Sequence, residues 1–309
     1  MSLRSYTSPS FLQPGDRIGV CCPSSKIDYP AALYACDVLR SWGFSVQMGK
    51  TVQGHFHNFS ATDDQRLEDL QQMLDDPAIR AIVFGRGGYG MMRIMDRLDW
   101  AAFIRQPKWL CGYSDITALH LQAGVQCQVQ TIHSVMCSGI TPATYNDPFV
   151  ESLRSVLMGK AIDYTFSPHP GNRSGKADGR LIGGNLCLLA ASCGSSTAPD
   201  VKDCILFLED TGEYFYAIDR MMMTLQRAGW LHDLAGLVVG SFTDTQDTEE
   251  PFGQQAWELI YDKISTYGYP VGFGFPVGHQ AENYALKIGA MCTLQIGTTC
   301  RLTEKQQRK

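Results

Sequence analysis

Two stretches of the chain, AIVFGRGGYG at residues 81–90 and WLCGYSDIT at residues 109–117, decide the fold. Each begins with a short apolar run that is typical of a buried strand, passes through a turn that contains glycine, and continues into a helical pattern. Consecutive units of this kind form parallel sheets, whose strands all end at one edge. Both turns are therefore expected at the carboxyl edge of one sheet, where ligands of such folds bind.

The same alternation extends outward over the first half of the chain. Earlier strand patterns lie at residues 17–22 and 45–48, and helical patterns lie at residues 30–42, 62–74, 91–98 and 116–123. Thr62 and Gln65 form a capping box at the start of one of these helices. Strict alternation of strand and helix predicts an α/β fold with a doubly wound parallel sheet in an N-terminal domain over residues 1–140.

The apolar rhythm fades from about Thr141, and residues 165–180 (TFSPHPGNRSGKADGR) are rich in Pro, Gly, Ser and charge. This composition is typical of a domain boundary. We predict a linker over 141–180 and a C-terminal domain over 181–309. That domain has a mixed pattern, with a strand at 204–208, a helix near 217–228, and further strands late in the chain.

The composition excludes several classes of protein. The 309 residues include 26 Lys and Arg against 31 Asp and Glu, a net charge of −5, and no basic block that would bind a nucleic acid backbone. No window reaches the roughly 18 apolar residues of a membrane span, and residues 1–15 lack the core of a signal peptide. The 11 cysteines include no C-x-x-C pair and lie mostly in apolar runs. We expect a cytoplasmic protein with reduced cysteines and with neither nucleic acid nor membrane as a partner.

The loop at residues 85–90, GRGGYG, matches the G-x-G-x-x-G pattern. It is a weak dinucleotide signal, because it follows the third predicted strand and the first strand ends in CCPSS without glycine. A glycine-rich backbone at this edge can also bind an oxyanion through its N–H groups. A tight turn that requires positive φ is the third interpretation.

Ser114 lies in the turn after the next strand, in GYSD. A serine on a sharp strand-to-helix turn resembles a nucleophile elbow, although the second glycine of G-x-S-x-G is replaced by Ile116. Serine is also a frequent helix N-cap, and capping alone would explain it.

A nucleophilic serine needs a base, and the base needs a carboxylate that orients it. Among the seven histidines, His279 stands in a polar break, FPVGHQAEN, where a loop can present its side chain. Glu209 directly follows the apolar strand CILFL, and its rivals for the carboxylate role are Asp210, Glu213 and Asp219. The chain order Ser, Glu, His is that of the α/β hydrolases. His279 and Glu282 also have the H-x-x-E spacing of zinc ligands, but no third ligand is apparent.

Five motifs together resemble one family. RGGYG, GYSDIT, GGNL, LFLEDTGEYFYAIDR and FPVGH occur in the order and rough spacing of the LD-carboxypeptidases, the muramoyl-tetrapeptide carboxypeptidase family of serine peptidases. FSATDDQRLEDL is also similar to theirs, and the match runs over about residues 14–302. The resemblance implies a C-terminal domain built around a small β-barrel, a homodimer, and no metal or cofactor.

The resemblance also implies a role for each site residue. Ser114 matches the nucleophile, Glu209 the triad carboxylate and His279 the general base. The backbone N–H groups of Gly88 and Asp115 match the oxyanion hole. Glu213 lies close enough to Glu209 in sequence to exchange roles with it, and this alternative stays open.

The implied reaction is hydrolysis of the L,D-amide that releases terminal D-alanine from a murein tetrapeptide, in cytoplasmic recycling of cell-wall peptides. An alternative is a peptidase of the microcin C immunity type, which has the same triad motifs and cleaves a peptidyl or aminoacyl nucleotide. A more remote alternative is a nucleotide-binding oxidoreductase that uses GRGGYG. A peptide substrate also needs a cation for its terminal carboxylate, for which Arg86 and Arg220 are equal candidates.

Overall fold

The computed structural model describes residues 6–305. Their strands are β1 (Arg17–Cys21), β2 (Ser45–Met48), β3 (Ile79–Phe84), β4 (Trp109–Gly112), β5 (Thr131–His133), β6 (Asp163–Phe166), β7 (Gly175–Asn185), β8 (Cys204–Thr211), β9 (Gly236–Thr243), β10 (Val271–Phe273), β11 (Leu286–Ile288), β12 (Met291–Ile296) and β13 (Cys300–Glu304). Their α-helices are α1 (Tyr29–Ser41), α2 (Asp63–Asp75), α3 (Ala101–Arg105), α4 (Thr117–Gln122), α5 (Pro148–Leu157), α6 (Leu186–Ser192), α7 (Phe215–Arg227) and α8 (Ala256–Ile264).

The first sheet has six strands in the order β11-β5-β4-β3-β1-β2. Strands β1 to β5 pair in parallel, and their residues are largely buried, as expected for strands covered on both faces. The order reverses at β1, so that the loops after β1 and β3 lie side by side at the carboxyl edge. The α/β fold with a doubly wound parallel sheet is confirmed.

The helices of this half begin largely where their local sequence signals predicted. Thr62 and Gln65 make the expected capping box at the start of α2, and a proline stands in the first turn of α1. The helix predicted over 91–98 is wrong. Two short 3-10 helices, Met91–Arg93 and Met95–Arg97, replace it, because Ile94 between them has a φ of −120°, outside the helical range.

The second sheet has seven strands in the order β10-β9-β8-β7-β12-β13-β6. Strand β7 joins two kinds of pairing. Its first half pairs antiparallel with β12, and its second half pairs parallel with β8, with Asn185 opposite Glu209. The sheet is therefore mixed, as the sequence predicted for the C-terminal domain.

The small β-barrel that the resemblance implied in this domain is not closed among residues 161–305. The edge strands β10 and β6 are not neighbours in the sheet. Closure is limited to one isolated bridge between Val271 in β10 and Arg173, which lies between β6 and β7. A single bridge forms no ladder, so the strands make one curled, open sheet.

The described chain divides into two compact units. The N-terminal unit contains residues 6–160 and 284–287, and the C-terminal unit contains residues 161–283 and 288–305. The stretch predicted as a linker, 141–180, carries α5, β6 and the start of β7. The outermost residues of the two predicted domains, 1–5 and 306–309, lie outside the described residues.

Between residues 6 and 305, the structure has no helix whose length and apolar character would let it cross a membrane.

Candidate active site

Ser114 stands at a sharp turn at the carboxyl end of β4. Its φ is 62°, in the left-handed region that a serine rarely adopts, and a 3-10 helix over Ser114–Ile116 leads from it into α4. Neither helix start uses a side-chain capping bond, so capping does not account for this serine. A strained strand–turn–helix serine has the geometry of a nucleophile elbow.

His120 in α4 stabilises this turn through a hydrogen bond to its backbone. Its side chain is buried, and its Nε2 lies 2.8 Å from the carbonyl oxygen of Gly112, two residues before the serine. Burial lowers the pKa of His120 to about 4, so the ring is neutral at pH 7 and carries its proton on Nε2, which donates to that carbonyl. The sequence analysis did not assign His120 a role.

The loop at residues 85–90 packs directly against the serine. A methyl group at Gly87 would lie 2.9 Å from Cβ and 3.2 Å from Oγ of Ser114, so only glycine fits there. Gly88 and Gly90 have φ values of 96° and 137°. The interpretation as a turn that requires positive φ is therefore correct, and the loop in addition brings backbone to the serine. Only a three-residue 3-10 helix follows the loop. So short a helix has only a small dipole, whereas a dinucleotide-binding loop uses the dipole of a long helix to bind phosphate.

Hydrogen bonds tie this loop to the loop after β1. The backbone N–H of Ser25 donates to the carbonyl oxygen of Gly87 over 3.1 Å, and the N–H of Tyr89 donates to Oγ of Ser25 over 3.3 Å. The CCPSS motif thus serves the site through its serines, a role that the sequence analysis missed. The paired serines at a strand end were the signal.

His279 and Glu209 form a hydrogen-bonded pair in the C-terminal unit. Nδ1 of His279 lies 2.7 Å from Oε2 of Glu209, which projects from β8 and is fully buried. Because an ionised carboxylate only accepts, the bond fixes the neutral imidazole as the Nδ1–H tautomer, in which Nε2 is the nitrogen that carries the basic lone pair. The structure thus joins two of the predicted triad residues.

The loop that carries His279 is built for this contact. Gly278 has a φ of 113°, and a methyl group there would lie 2.7 Å from Cβ of Glu209. The side chain of Asn283 accepts from the N–H of Gly278 over 3.0 Å, and Oγ1 of Thr243 donates to the carbonyl oxygen of His279 over 2.9 Å. Hydrogen bonds therefore fix the backbone of the loop FPVGHQAEN at Gly278 and at His279.

The rival carboxylates have other surroundings. Asp210 is buried and accepts hydrogen bonds from the Asn185 side chain and from the N–H groups of Cys187 and Thr211. Asp219 forms an ion pair with a lysine of α8 at 2.7 Å. Glu213 is half-buried in the loop after β8. Glu209 is the carboxylate that contacts His279.

Two groups beside Glu209, the imidazole of His279 and the carboxyl of Asp210, have shifted pKa values. Burial alone would lower the pKa of His279, but the hydrogen bond and charge of Glu209 outweigh it, and the net shift is upward. Burial, together with the charge of Glu209, raises the pKa of Asp210 to about 7, against the hydrogen bonds that it accepts. Perturbed groups of this kind concentrate at functional sites.

The predicted residues thus fall into two groups. Ser114, Gly88 and Asp115 lie in the N-terminal unit, and Glu209 and His279 lie in the C-terminal unit. Their assembly into one triad with an oxyanion hole stays a prediction. Among residues 6–305, no three or more His, Cys, Asp or Glu side chains are grouped as metal ligands would be.

Neither of the two cations considered for a substrate carboxylate is distinguished by its contacts. The guanidinium of Arg86 reaches the carbonyl oxygen of Lys26 at 3.5 Å. That of Arg220 lies 5.3 Å from the ring centre of Tyr216. The choice between them stays open.

Comparison with known proteins gives a consistent result. The family model for the LD-carboxypeptidase N-terminal domain matches residues 18–134, and the model for the C-terminal domain matches residues 178–294. The chain is 32% identical over 307 residues to the "Probable murein peptide carboxypeptidase" of Bacillus subtilis, covering 96% of this chain and 94% of that protein. It is 29% identical over 293 residues to the murein tetrapeptide carboxypeptidase of Pseudomonas aeruginosa, covering 92% and 94%.

Solved structures share the fold. A muramoyltetrapeptide carboxypeptidase from Oxalobacter formigenes superposes with a TM-score of 0.84 at 24% identity, covering 95% of this chain and 100% of that one. MccF in complex with glutamyl sulfamoyl guanosine superposes with a TM-score of 0.85 at 22% identity, covering 96% and 98%. With family models that together match most of its length, the chain belongs to the LD-carboxypeptidase family of peptidases.

Proposed function

We propose that the chain is a serine carboxypeptidase that hydrolyses the L,D-amide bond before a terminal D-alanine in a murein tetrapeptide. The observation that carries this proposal is the His279–Glu209 pair, whose 2.7 Å hydrogen bond orients the imidazole through Nδ1. The strained Ser114 turn supports it further. So do relatives that are named as murein peptide and murein tetrapeptide carboxypeptidases.

In the proposed reaction, Oγ of Ser114 attacks the carbonyl carbon of the scissile amide and its proton passes to Nε2 of His279. The oxygen of the tetrahedral intermediate becomes negative and accepts from the N–H groups of Gly88 and Asp115. The C–N bond then breaks as the imidazolium gives its proton to the amine of D-alanine. Water attacks the acyl-enzyme with His279 again as the base, which releases the tripeptide and restores the serine.

Glu209 and the two oxyanion donors would stabilise the transition state in different ways. Glu209 holds the imidazole tautomer and stabilises its protonated form. Each oxyanion donor is worth roughly 3 to 4 kcal/mol of transition-state free energy in enzymes of this mechanism.

The test is release of D-alanine from purified murein tetrapeptide, followed by mass spectrometry. We expect the wild type to release it, and Ser114→Ala to lose activity by about 10⁴-fold or more while its thermal unfolding stays cooperative. A tetrapeptide that ends in L-alanine is the control and is expected to remain intact. Full activity of Ser114→Ala would contradict the serine mechanism.

One observation favours the alternative substrate, a peptidyl or aminoacyl nucleotide. Tyr214 and Tyr216, in the loop after β8 and at the start of α7, are exposed and stack on each other with centroids 5.3 Å apart. Exposed aromatic rings can stack on a nucleobase. Hydrolysis of an aminoacyl sulfamoyl adenosine at a higher kcat/KM than murein tetrapeptide would favour this alternative.

Three further expectations stay predictions. The cytoplasmic location and the homodimer need direct measurement, by fractionation and by light scattering of the purified protein. An oxidoreductase that binds a dinucleotide would be stabilised by NAD, so an unchanged unfolding temperature with NAD would argue against that alternative.

A further inference from the structure

We propose that the side chain of Asp115 is a positioning residue, which anchors the loop at residues 85–90 against Ser114 and so sets where the loop's N–H groups point. The carboxylate binds two loops at once, and it does so from the position next to the serine. The inference rests on the proposed function, because the placement of these N–H groups affects the rate only if Ser114 is the nucleophile.

The contacts of Asp115 are direct. Its side chain is buried, with an exposed fraction of 2%. Oδ2 accepts a hydrogen bond from Oγ of Ser24 over 2.5 Å and another from the N–H of Met91 over 2.8 Å. Ser24 belongs to the loop after β1, and Met91 directly follows the loop at residues 85–90. One carboxylate oxygen therefore joins both loops to the residue that follows Ser114.

Arg66 of α2 also binds both of these loops. Its side chain is fully buried, and Nη1 donates to the carbonyl oxygens of Pro23 and, over 3.0 Å, of Gly90. Nη2 pairs with Asp63 at 2.5 Å. A buried guanidinium is costly unless its donors are used. Here Nη2 is used on Asp63, and Nη1 is used on backbone oxygens at the ends of the two loops that Asp115 also joins.

The loop needs such anchors because its own sequence does not fix its shape. Gly88 and Gly90 both adopt positive φ, and glycine has the greatest backbone freedom of any residue. Yet Gly87 must stay in van der Waals contact with Ser114. Contacts outside the loop therefore decide its position, and the bond from Met91 to Asp115 is the one nearest the serine in sequence.

Loss of this anchor is expected to change kcat rather than KM. N–H groups that meet the oxyanion act mainly in the transition state, whereas the substrate carbonyl needs them less. A displacement of about 1 Å in a catalytic group can cost about 10²-fold in rate. We therefore expect Asp115→Ala, which retains the backbone N–H at position 115, to lower kcat about 10²-fold with KM changed less than about threefold.

Asp115→Asn is the conservative variant that separates positioning from general packing. An asparagine oxygen in the place of Oδ2 can accept both hydrogen bonds without the charge. We expect kcat of Asp115→Asn to lie within about tenfold of the wild-type value. This loss is smaller than that of Asp115→Ala, because the asparagine keeps both hydrogen bonds. Equal losses of kcat in the alanine and asparagine variants would overturn the proposal.

A second pair of variants covers the case in which Asp115→Ala does not fold. Ser24→Ala removes the bond to Asp115, and Ser60→Ala removes an equally buried hydroxyl, which donates to the carbonyl oxygen of Cys22 over 2.5 Å. Both substitutions take one hydrogen bond from the loop after β1, so similar losses of stability are expected. Only Ser24→Ala should lower kcat, and equal kcat values for the two variants would overturn the proposal.

Ser114→Ala is measured alongside these variants on the same murein tetrapeptide. If Ser114→Ala retains activity, the proposed function fails. If Ser114→Ala is inactive and Asp115→Ala and Ser24→Ala keep wild-type kcat, the proposed function stands and the positioning role of Asp115 is wrong.

Discussion

Nδ1 of His279 lies 2.7 Å from Oε2 of Glu209, although the two residues are 70 positions apart in the chain. The carboxylate is fully buried, and the imidazole side chain is only 18% exposed. The charge of Glu209 acts on the ring with little screening by solvent, and it shifts the pKa of His279 upward. This pair gives a prediction for the pH dependence of activity.

Glu209→Gln should move the acid limb of the kcat/KM profile to lower pH. The base must be neutral, so activity rises as pH increases through the pKa of His279, which lies above its ordinary 6.5 in the wild type. Removing the charge lowers that pKa, and kcat falls by roughly 10² to 10⁴ because the imidazolium loses its partner. Glu213→Gln is the matched control, and a shift in that variant instead would assign the triad role to Glu213.

Ser114→Gly should be more stable than Ser114→Ala. Position 114 has a φ of 62°, which strains alanine and serine by about 1 to 2 kcal/mol and does not strain glycine. The greater entropy of unfolded glycine offsets part of this gain. Urea unfolding should therefore show a difference of about 1 kcal/mol.

Gln128 provides the control for this strain, because its φ is 54° and it lies outside the predicted site. Gln128→Gly should gain stability relative to Gln128→Ala by a similar amount, with activity unchanged. If glycine gave no gain at position 114 but a gain at position 128, Ser114 would not be strained as its φ indicates.

Gly88→Ala should reduce activity more than backbone strain alone explains. A methyl group at Gly88 would clash with Oγ of Ser25, so either the loop or that serine must move. Gly15→Ala is the matched control, since Gly15 has a φ of 91° against 96° for Gly88 and nothing lies within 4 Å of its added methyl. Both variants should lose similar stability from strain, and kcat should fall only in Gly88→Ala.

Asp210→Asn should make stability less dependent on pH between about 4 and 7. The folded pKa of Asp210 is raised from 3.8 to about 7, so its contribution to stability is full below pH 3.8 and is lost as pH rises to about 7. Within that window the wild type should lose about 1.4 kcal/mol per pH unit more than the variant. Denaturant unfolding across this range measures the difference, and parallel curves would contradict the raised pKa.

The sequence predicted four strands of the first sheet, β1 to β4, because their signals are local, and it missed β5 and the place of β11 in this sheet. Buried parallel strands leave short apolar runs, and the capping box of Thr62 and Gln65 marks a helix start within four residues. The helix predicted over 91–98 had the right apolar spacing, but the backbone breaks at Ile94, and the N–H of Met91 before that break donates to Asp115. That tertiary contact has no local signature.

The difference between local signals and tertiary contacts also applies to the candidate site. Ser114, Glu209 and His279 stand near strand ends or in a polar loop, and those positions made them candidates; of the three, Glu209 and His279 are in contact. The supporting contacts join distant segments, since Ser24 and Asp115 are 91 positions apart and Pro23 and Arg66 are 43 positions apart. A single sequence shows which residues can ionise, and it does not show which of them meet inside the fold.

The last strand of the first sheet comes late in the chain. Strand β11 neighbours β5 but follows it by about 150 residues, and the N–H of Ala285 just before it donates to Oγ of Ser152 over 2.9 Å. During synthesis at about 5 to 20 residues per second, β5 therefore remains an open edge for on the order of ten seconds. A ribosome must complete the loop that carries His279 before the sheet that carries Ser114 can gain its final strand. Truncated chains would present that edge permanently and would be exposed to edge-to-edge aggregation.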